Sequence, residues 1–310
     1  MKSLLAKMAA ARRTLLKMTK NPEGADCVVR LDRLQGYCFK DPTSALTNVP
    51  GFQSSPVIRL RPARGSFQPY ACVQRFHSAR NKATFVIESE PNDRFMFPFR
   101  LTFIADDVDG LLSAQLFSVL EITPDFHMTM VELAFDFTDG LTRQIVRREA
   151  LFGKCRPIPS VGNTDYWGTR RGMKRVQCYF KQDVHALRVE LELHARFLKY
   201  YEIRSPFDFH KFIKLLPMRH IRFGAFSEQK LIRRMNHMGL TARQQQEVLR
   251  IVRGWPGFLW GTLNYLRHEW EMDNTLRLLD DSPRNEAVLD ALNQWLRGWP
   301  ATPTRLGGTK

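Results

Sequence analysis

Apolar and polar positions follow two different periods along the 310-residue chain, and the change falls close to Pro206. Before it, short runs of β-branched and aromatic residues are separated by turn residues, which is typical of strands. After it, apolar residues recur every three or four positions, which predicts helices. The pattern therefore indicates an α+β domain followed by a smaller helical domain.

The same pattern predicts where each element lies. Strands are expected at 57–61, 69–76, 83–89, 100–105, 128–137, 164–168, 175–181 and 186–194, with a hairpin turn through 170–174. Helices are expected at 106–120, 140–152, 195–201, 207–216, 227–238, 241–253, 258–272 and 284–297, with Ser227 and Thr241 as N-caps. Residues 21–56 predict a loop with one short strand near Cys27–Leu34. The resulting segments are a basic helix and loop segment (1–55), the α+β domain (56–225), the helical domain (226–300) and a disordered tail (301–310).

Two of the expected strands place carboxylates on one face. Glu132 and Asp136 alternate with apolar residues in the first, and Glu190 and Glu192 do so in the second. Same-face neighbours on one strand lie roughly 6.5–7 Å apart, so Glu190 and Glu192 can share an ion if the strand twists, whereas Glu132 and Asp136 are two such steps apart. A pair formed by Glu132 and Glu190 or Glu192 across neighbouring strands is sterically easier. Such a cluster suits Mg²⁺ or Mn²⁺; the alternative is a solvent-facing set paired with arginines.

Charge favours a polyanionic partner. The chain has 47 basic and 31 acidic residues, a net charge of +16, which favours nucleic acid first and an anionic membrane surface second. Between Arg143 and Lys181 there are ten basic and two acidic residues, a difference of +8, or half of the excess. The phosphate-binding candidates in and near this stretch are Arg170, Arg171, Lys174, Arg175, Lys181 and Arg188. The alternative is a solvated basic face.

Tyr166 is the candidate nucleophile. A tyrosine hydroxyl has a pKa of about 10, so it needs activation before it attacks phosphorus. A neighbouring metal ion supplies this by polarising the scissile phosphate. Gly168 allows a close approach of the backbone to a nucleic-acid strand. The alternative for Tyr166 is an ordinary amphipathic tyrosine on a strand, and the rival nucleophiles are Tyr179 and the helical pair Tyr200 and Tyr201.

Several classes are excluded by what the sequence lacks. Five widely spaced cysteines without a C-x-x-C pair indicate a reducing compartment, which we take to be the cytoplasm, and no disulfide framework or structural zinc. No apolar run approaches the ~18 residues of a membrane span, so stable membrane insertion is not expected. The chain has no H-E-x-x-H, P-loop or Rossmann motif.

Two further segments have open interpretations. Residues 1–20 contain six basic residues and no acid, which is compatible with an amphipathic helix on DNA or on a membrane, or with a frayed terminal helix. Residues 227–253 form either a helix-turn-helix that reads DNA or an ordinary helical hairpin.

Three segments in order, VELAFDF, DYWGTRRGMKRVQCYFK and LRVELELH, resemble the replication initiation factors of rolling-circle plasmids, filamentous phages and related conjugative-element relaxases. That family shows an R-x-D-x-x-x-D strand, a Y-x-G-S-R-x-S turn leading to R-x-Y-x-K, and an R-V-E strand. The matching positions are Glu132, Asp136, Tyr166, Gly168, Arg170, Tyr179, Lys181, Arg188 and Glu190. The departures are Glu for the first Asp, Thr169 and Gly172 for the two serines, and Gln177 for Arg. The resemblance covers about residues 128–200.

The resemblance implies an antiparallel sheet of the rolling-circle-initiator type that holds a divalent metal. It implies a DNA strand-nicking and strand-joining enzyme in which Tyr166 cuts single-stranded or hairpin origin DNA through a 5′-phosphotyrosine. The free 3′-hydroxyl would prime a host polymerase, and the helical domain would recognise the origin or contact a host helicase. The sequence leaves open whether the protein forms a homodimer.

Other functions also fit the sequence. A relaxase or a transposase would use the same chemistry. A non-catalytic basic DNA-binding protein would bind without metal and with a steep salt dependence, and a membrane-associated basic protein would use residues 1–20.

Overall fold

An antiparallel sheet of 11 strands organises the part of the chain that the computed structural model describes. The described residues are 27–49, 51–61, 68–78, 83–94, 96–105, 125–153, 155–205, 208, 220–254 and 257–297. The expected helices at 1–20, 106–120 and 207–216 and the tail 301–310 lie outside these residues, apart from residue 208. The α+β class expected from the sequence is confirmed.

Fourteen strands are described in all. They are β1 (Cys27–Cys38), β2 (Phe52–Ser54), β3 (Ile58–Arg59), β4 (Tyr70–Ser78), β5 (Ala83–Pro91), β6 (Phe99–Ala105), β7 (His127–Phe137), β8 (Ala150–Leu151), β9 (Pro157–Val161), β10 (Thr164–Trp167), β11 (Lys174–Lys181), β12 (Ala186–His194), β13 (Arg222–Phe226) and β14 (Leu279–Asp281). The order in the large sheet is β2-β4-β5-β6-β1-β7-β12-β11-β10-β9, and β3 also pairs with β4. A second sheet has the order β14-β13-β8.

The first strand departs most from expectation. In place of a short strand near Cys27–Leu34 within a loop segment, β1 has 12 residues and lies between β6 and β7 in the middle of the sheet. Its apolar side chains Val29, Leu31 and Leu34 are buried. The alternation of apolar and polar residues is interrupted because the register with β7 shifts between Leu31 and Arg33. The full strand therefore does not follow the two-residue period by which strands are predicted from sequence.

Seven helices flank the sheets in the described residues. They are α1 (Thr43–Thr47), α2 (Arg143–Glu149), α3 (Ala195–Tyr200), α4 (Glu228–His237), α5 (Ala242–Gly254), α6 (Leu259–Glu269) and α7 (Arg284–Arg297). Helix α2 is shorter than the expected 140–152 because Ala150–Leu151 leaves the helix to pair with β13. At the start of α5, Thr241 Oγ1 accepts a hydrogen bond from the Gln244 backbone N–H (3.4 Å), as expected of an N-cap. Ser227 occupies the N-cap position of α4 but makes no capping bond with its side chain.

The apolar side of the large sheet forms the main core. Helix α7 packs Val288, Leu292 and Leu296 into it, although it is last in sequence. Each fully buried leucine of this kind contributes roughly 1.5–3 kcal/mol. Helices α4, α5 and α6 share a separate apolar cluster around Leu231 and Leu266. None of the described helices combines the length and the apolar character that a membrane crossing needs.

Candidate metal centre

The side of the sheet opposite the apolar core carries charged and polar residues, and we call it the polar face. Directly paired residues in antiparallel strands point to the same face. One row of paired residues runs from β1 through β7 and β12 to β11: Arg33, Glu132, Glu192 and Arg175. The next row contains Glu190, Gln177 and Tyr166 on β12, β11 and β10. Because β7 and β12 are neighbours, Glu132 and Glu190 lie close together, the sterically easier of the arrangements expected from the sequence.

Three carboxylates converge at the centre of this face, and we call them the acidic triad: Asp32, Glu132 and Glu190. Each offers an oxygen, and these oxygens all lie within 4.8 Å of one another. Glu132 and Glu190 are buried and Asp32 is half-buried. Metal–oxygen distances are about 2.0–2.1 Å for Mg²⁺ and 2.3–2.6 Å for Ca²⁺, so one cation fits between oxygens at this separation. The donor set and its geometry therefore fit the divalent metal that the resemblance implies.

The pKa shifts of the triad also favour a bound cation. Burial and then the neighbouring charge of Glu190 raise the pKa of Glu132 to about 7. Burial also raises the pKa of Glu190, against the lowering effect of a hydrogen bond from Tyr179. Carboxylates crowded into a low-dielectric site ionise reluctantly unless a positive charge compensates them. A divalent cation would supply that charge.

Asp32 was not among the residues expected from the sequence. Leu31 pairs with Leu133 and Arg33 with Glu132, so Asp32 is the extra residue of a β-bulge. A bulge re-aims a side chain and is frequent beside active sites. Here it turns Asp32 toward the same face as Arg33. The signal in the sequence is a phase slip, since the buried Leu31 and Leu34 are three positions apart rather than two.

Asp136, an expected metal ligand, lies outside the triad and is paired with arginines. Its two oxygens accept hydrogen bonds from Arg188 Nε (2.6 Å) and Nη2 (2.8 Å), and Arg30 Nε lies 3.1 Å away. Arg188 Nη1 also lies 3.4 Å from Asp32 Oδ1 and 3.9 Å from Glu190 Oε1. Arg188 is only 1% exposed, so the residue expected to bind DNA phosphate is instead held inside the protein beside the triad.

Glu192, the fourth expected ligand, also has another partner. Its Oε1 lies 2.9 Å from His194 Nε2, while His194 Nδ1 lies 2.6 Å from the Gly172 carbonyl oxygen. With an acceptor at each nitrogen, the ring is arranged to donate twice, as an imidazolium does. The hydrogen bond to Glu192 raises the pKa of His194. Burial opposes ionisation of Glu192, but the hydrogen bond from His194 and the positive charges of His194, Arg175 and Arg33 together outweigh it and lower the pKa of Glu192.

Among the four candidate tyrosines, Tyr179 touches the triad. Its hydroxyl donates a hydrogen bond to Glu190 Oε1 from the neighbouring strand β11. Burial and this bond raise the pKa of Tyr179. Tyr166 lies on the same face but two strands from β12, about 10 Å from it between backbones at the usual strand spacing. The Arg175 guanidinium covers the Tyr166 ring at 4.6 Å. Tyr200 and Tyr201 contact each other on and just after α3.

Expected phosphate-binding residues fall into different environments. Arg170 and Arg171 are exposed in the turn that follows β10, and Lys181 is half-buried on the Tyr179 side of β11. Lys174 is buried, with Nζ 2.9 Å from His220 Nδ1, and burial lowers the pKa of its ammonium. It lies on the core side of β11 together with Val176, so it does not reach the polar face.

Strand β10 is fixed by its own buried carboxylate. Asp165 accepts hydrogen bonds from Arg143 Nη2 (2.8 Å), Arg147 Nε (2.8 Å) and the Ser160 hydroxyl (2.6 Å). Burial opposes its ionisation, but these hydrogen bonds outweigh it and hold the pKa of Asp165 well below its usual range. Two of the arginines between 143 and 181 are therefore structural.

Gly168 closes the turn after β10 for an internal reason. Its φ is +75°, and a Cβ there would lie 2.6 Å from the Lys174 carbonyl oxygen. Glycine is thus required by the protein's own backbone, a constraint that holds whether or not a DNA strand approaches.

The polar face thus combines a carboxylate triad, a tyrosine hydroxyl bonded to one of its members, and exposed arginines in the adjoining turn. This set can bind a divalent cation and a phosphodiester. Comparison with known proteins finds no family model and no curated protein that matches the chain.

Proposed function

We propose that this protein is a metal-dependent tyrosine endonuclease that nicks and rejoins one DNA strand, as the rolling-circle replication initiators that its motifs resemble do. The observation that carries this proposal is the hydrogen bond from the Tyr179 hydroxyl to Glu190, a member of the triad. A nucleophile and a proton acceptor in direct contact are what attack on phosphorus requires.

The proposal assigns the nucleophile to Tyr179 in place of Tyr166. As the phenol oxygen bonds to phosphorus, Glu190 accepts the phenol proton, and the bond from phosphorus to the 3′ oxygen breaks. The products are a 5′-phosphotyrosine and, once the leaving oxygen takes up a proton, a free 3′-hydroxyl. Rejoining is the reverse attack by a 3′-hydroxyl.

Glu190 serves both Tyr179 and the cation without conflict because a carboxylate has two oxygens. The residues that would hold Mg²⁺ or Mn²⁺ are Asp32, Glu132 and Glu190. The cation would neutralise charge on the phosphate as the phenol approaches. Arg188 acts as a positioning residue, since it contacts Asp136 and lies close to both Asp32 and Glu190.

Three cations on or beside β10 and β11 are proposed to bind the DNA backbone. Arg170 and Arg171 are exposed in the turn after β10, and the half-buried Lys181 is on the Tyr179 side of β11. Tyr166, covered by Arg175, would line the path of the strand rather than attack it.

The helix pair α4 and α5 is proposed to contact duplex DNA beside the nick. Gly239, with φ of +70°, joins the helices through a short turn. Helix α5 buries Val248 and exposes Arg243, Gln244 and Arg250 on its outer side. Arginine and glutamine are the side chains that bind guanine and adenine edges in the major groove.

One assay tests the assignment. The wild type, Tyr179→Phe and Tyr166→Phe are incubated with a uniformly labelled circular single strand and Mn²⁺, and a denaturing gel reveals covalent adducts. We expect adducts from the wild type and from Tyr166→Phe but none from Tyr179→Phe. Loss in Tyr166→Phe alone would return the nucleophile to Tyr166. Metal-independent binding without any adduct would identify a non-catalytic DNA-binding protein.

A further inference from the structure

Three aromatic rings pack together at one end of the polar face, Tyr37, Phe97 and Phe39, and we call this cluster the stack, with Phe39 tilted by 58° against Phe97. The Tyr37 and Phe97 rings are almost parallel, at 3°, with centroids 5.2 Å apart. Phe39 packs against Phe97 at 4.9 Å and remains 59% exposed. A phenylalanine this exposed gains little from burial in the core, and together with Tyr37 and Phe97 it presents an aromatic surface to solvent.

The protein holds this exposed ring on a fixed backbone. Asp125 Oδ2 accepts hydrogen bonds from the backbone N–H groups of Phe39 (2.6 Å) and Lys40 (3.0 Å). Below the stack, the hydroxyl of the fully buried Tyr70 donates to the Phe97 carbonyl oxygen at 3.0 Å. Rings held in this way lose little conformational entropy when a flat ligand stacks on them.

Strand β1 connects the stack to the triad. From Arg33 the register with β6 is unbroken to Cys38, so Arg33 and Tyr37 point to the same face. Arg33 Nε lies 3.7 Å from Glu132 Oε2, which identifies that face as the polar one. Tyr37 is five residues from Asp32, about 16 Å along a strand. The stack therefore lies on the same surface as the triad, within reach of one short single strand.

We propose that Tyr37, Phe39 and Phe97 form a stacking subsite for an unpaired base of the DNA strand that is cut at the triad. This inference rests on the proposed function and adds a base-binding element to it. Every nucleobase has a π-face that stacks on aromatic rings, so such a subsite is tolerant of sequence. The exposed Lys40 beside Phe39 is placed to meet the phosphate of the stacked nucleotide.

Binding is measured without metal, so that cleavage plays no part, by fluorescence anisotropy with two labelled 12-mers. One is oligothymidine, and the other has the same phosphate backbone with abasic sites throughout. The proteins are the wild type, Phe39→Ala, Phe39→Trp and Phe180→Ala. Phe180 is a matched control, because it is 54% exposed but lies on the opposite side of β11 from Tyr179.

We expect Phe39→Ala to bind oligothymidine about tenfold more weakly, as loss of one stacked base predicts, and to bind the abasic strand as the wild type does. Phe39→Trp should bind oligothymidine at least as well as the wild type, and Phe180→Ala should be unchanged. If Phe39→Ala weakens binding to both strands equally, or leaves binding to oligothymidine unchanged, the subsite is overturned. A protein partner at this patch would give the second result. A wild type that binds neither strand would overturn the subsite, and if it also forms no adduct with Mn²⁺ the proposed function fails with it. If the wild type forms the adduct and Phe39→Ala binds oligothymidine as the wild type does, the subsite alone is overturned.

Discussion

Tyr179 and Glu190 lie on adjacent strands, β11 and β12, and the hydroxyl of the first donates a hydrogen bond to the carboxylate of the second. They are diagonal neighbours, since Tyr179 is paired with Arg188 and Gln177 with Glu190. Both side chains are held by packing: Glu190 is buried and Tyr179 is half-buried. A nucleophile and its proton acceptor are thus oriented by the sheet itself before any substrate arrives.

Glu190→Gln should remove the proton acceptor while preserving the shape of the site. We expect adduct formation to fall by about 10²–10⁴-fold, the usual contribution of a general base. Glu192→Gln is the matched control on the same strand, because Glu192 pairs with His194 outside the triad. Adduct yield from labelled single-stranded DNA is the measurement, and equal losses in the two variants would contradict the role given to Glu190.

Asp32→Asn should abolish stabilisation by a divalent cation. A ligand present at a hundred times its Kd stabilises the folded state by about 2.7 kcal/mol, so the wild type should show a clear rise in Tm when Mn²⁺ is added. Asp32→Asn should show little rise, because one of three carboxylate ligands is lost. Asp183→Asn, an exposed aspartate between β11 and β12, should respond like the wild type. An unchanged Mn²⁺ response in Asp32→Asn would exclude Asp32 as a ligand.

Asp165→Asn should destabilise the fold in a pH-dependent way. At pH 7 we expect a loss of about 3 kcal/mol, since the buried carboxylate that pairs with two partly exposed arginines is lost. The pKa of Asp165 is depressed in the folded state, so its stabilisation is present above its unfolded pKa and is lost as pH falls toward the folded pKa. The difference between wild type and variant in urea unfolding should therefore shrink as pH drops below about 4. A difference that stays constant from pH 7 to pH 3 would contradict the ion pairing.

Gly36→Ala should destabilise β1 by about 1–3 kcal/mol through overpacking. A Cβ at Gly36 would lie 2.3 Å from Phe126 Cζ and 2.6 Å from the His127 carbonyl oxygen. Gly254→Ala is the control, because no atom lies within 4 Å of its added Cβ and alanine favours the helix. Denaturant unfolding should show a loss of stability in the first variant and none in the second.

The alternation of apolar and polar residues along the strands predicted part of the site, and it failed at identifiable positions. It placed Glu132 and Glu190 on one face because residues 130–137 of β7 and 187–194 of β12 keep period two without interruption. It missed Asp32 because the bulge in β1 breaks that period. The same alternation predicts that Lys174 is buried, because it lies an even number of residues from Val176 and Cys178 and so points to the same side of β11.

Contacts between strands are harder to foresee. The order β12-β11-β10 gives Tyr179 the contact with Glu190 and leaves Tyr166 one strand further away. Motif spacing contains no information about which tyrosine is nearer. Likewise, the hydrogen bonds that hold Asp136 and Glu192 depend on rotamers of Arg188 and His194 that no sequence pattern specifies.

The central position of β1 has a consequence for biosynthesis. Leu31 pairs with Leu133, which follows it by 102 residues. At about 5–20 residues per second, β1 leaves the ribosome roughly 5–20 s before β7 is available to pair with it. During that time an apolar strand with unsatisfied backbone groups is exposed, so we expect nascent chains that stop short of residue 127 to aggregate or to recruit chaperones.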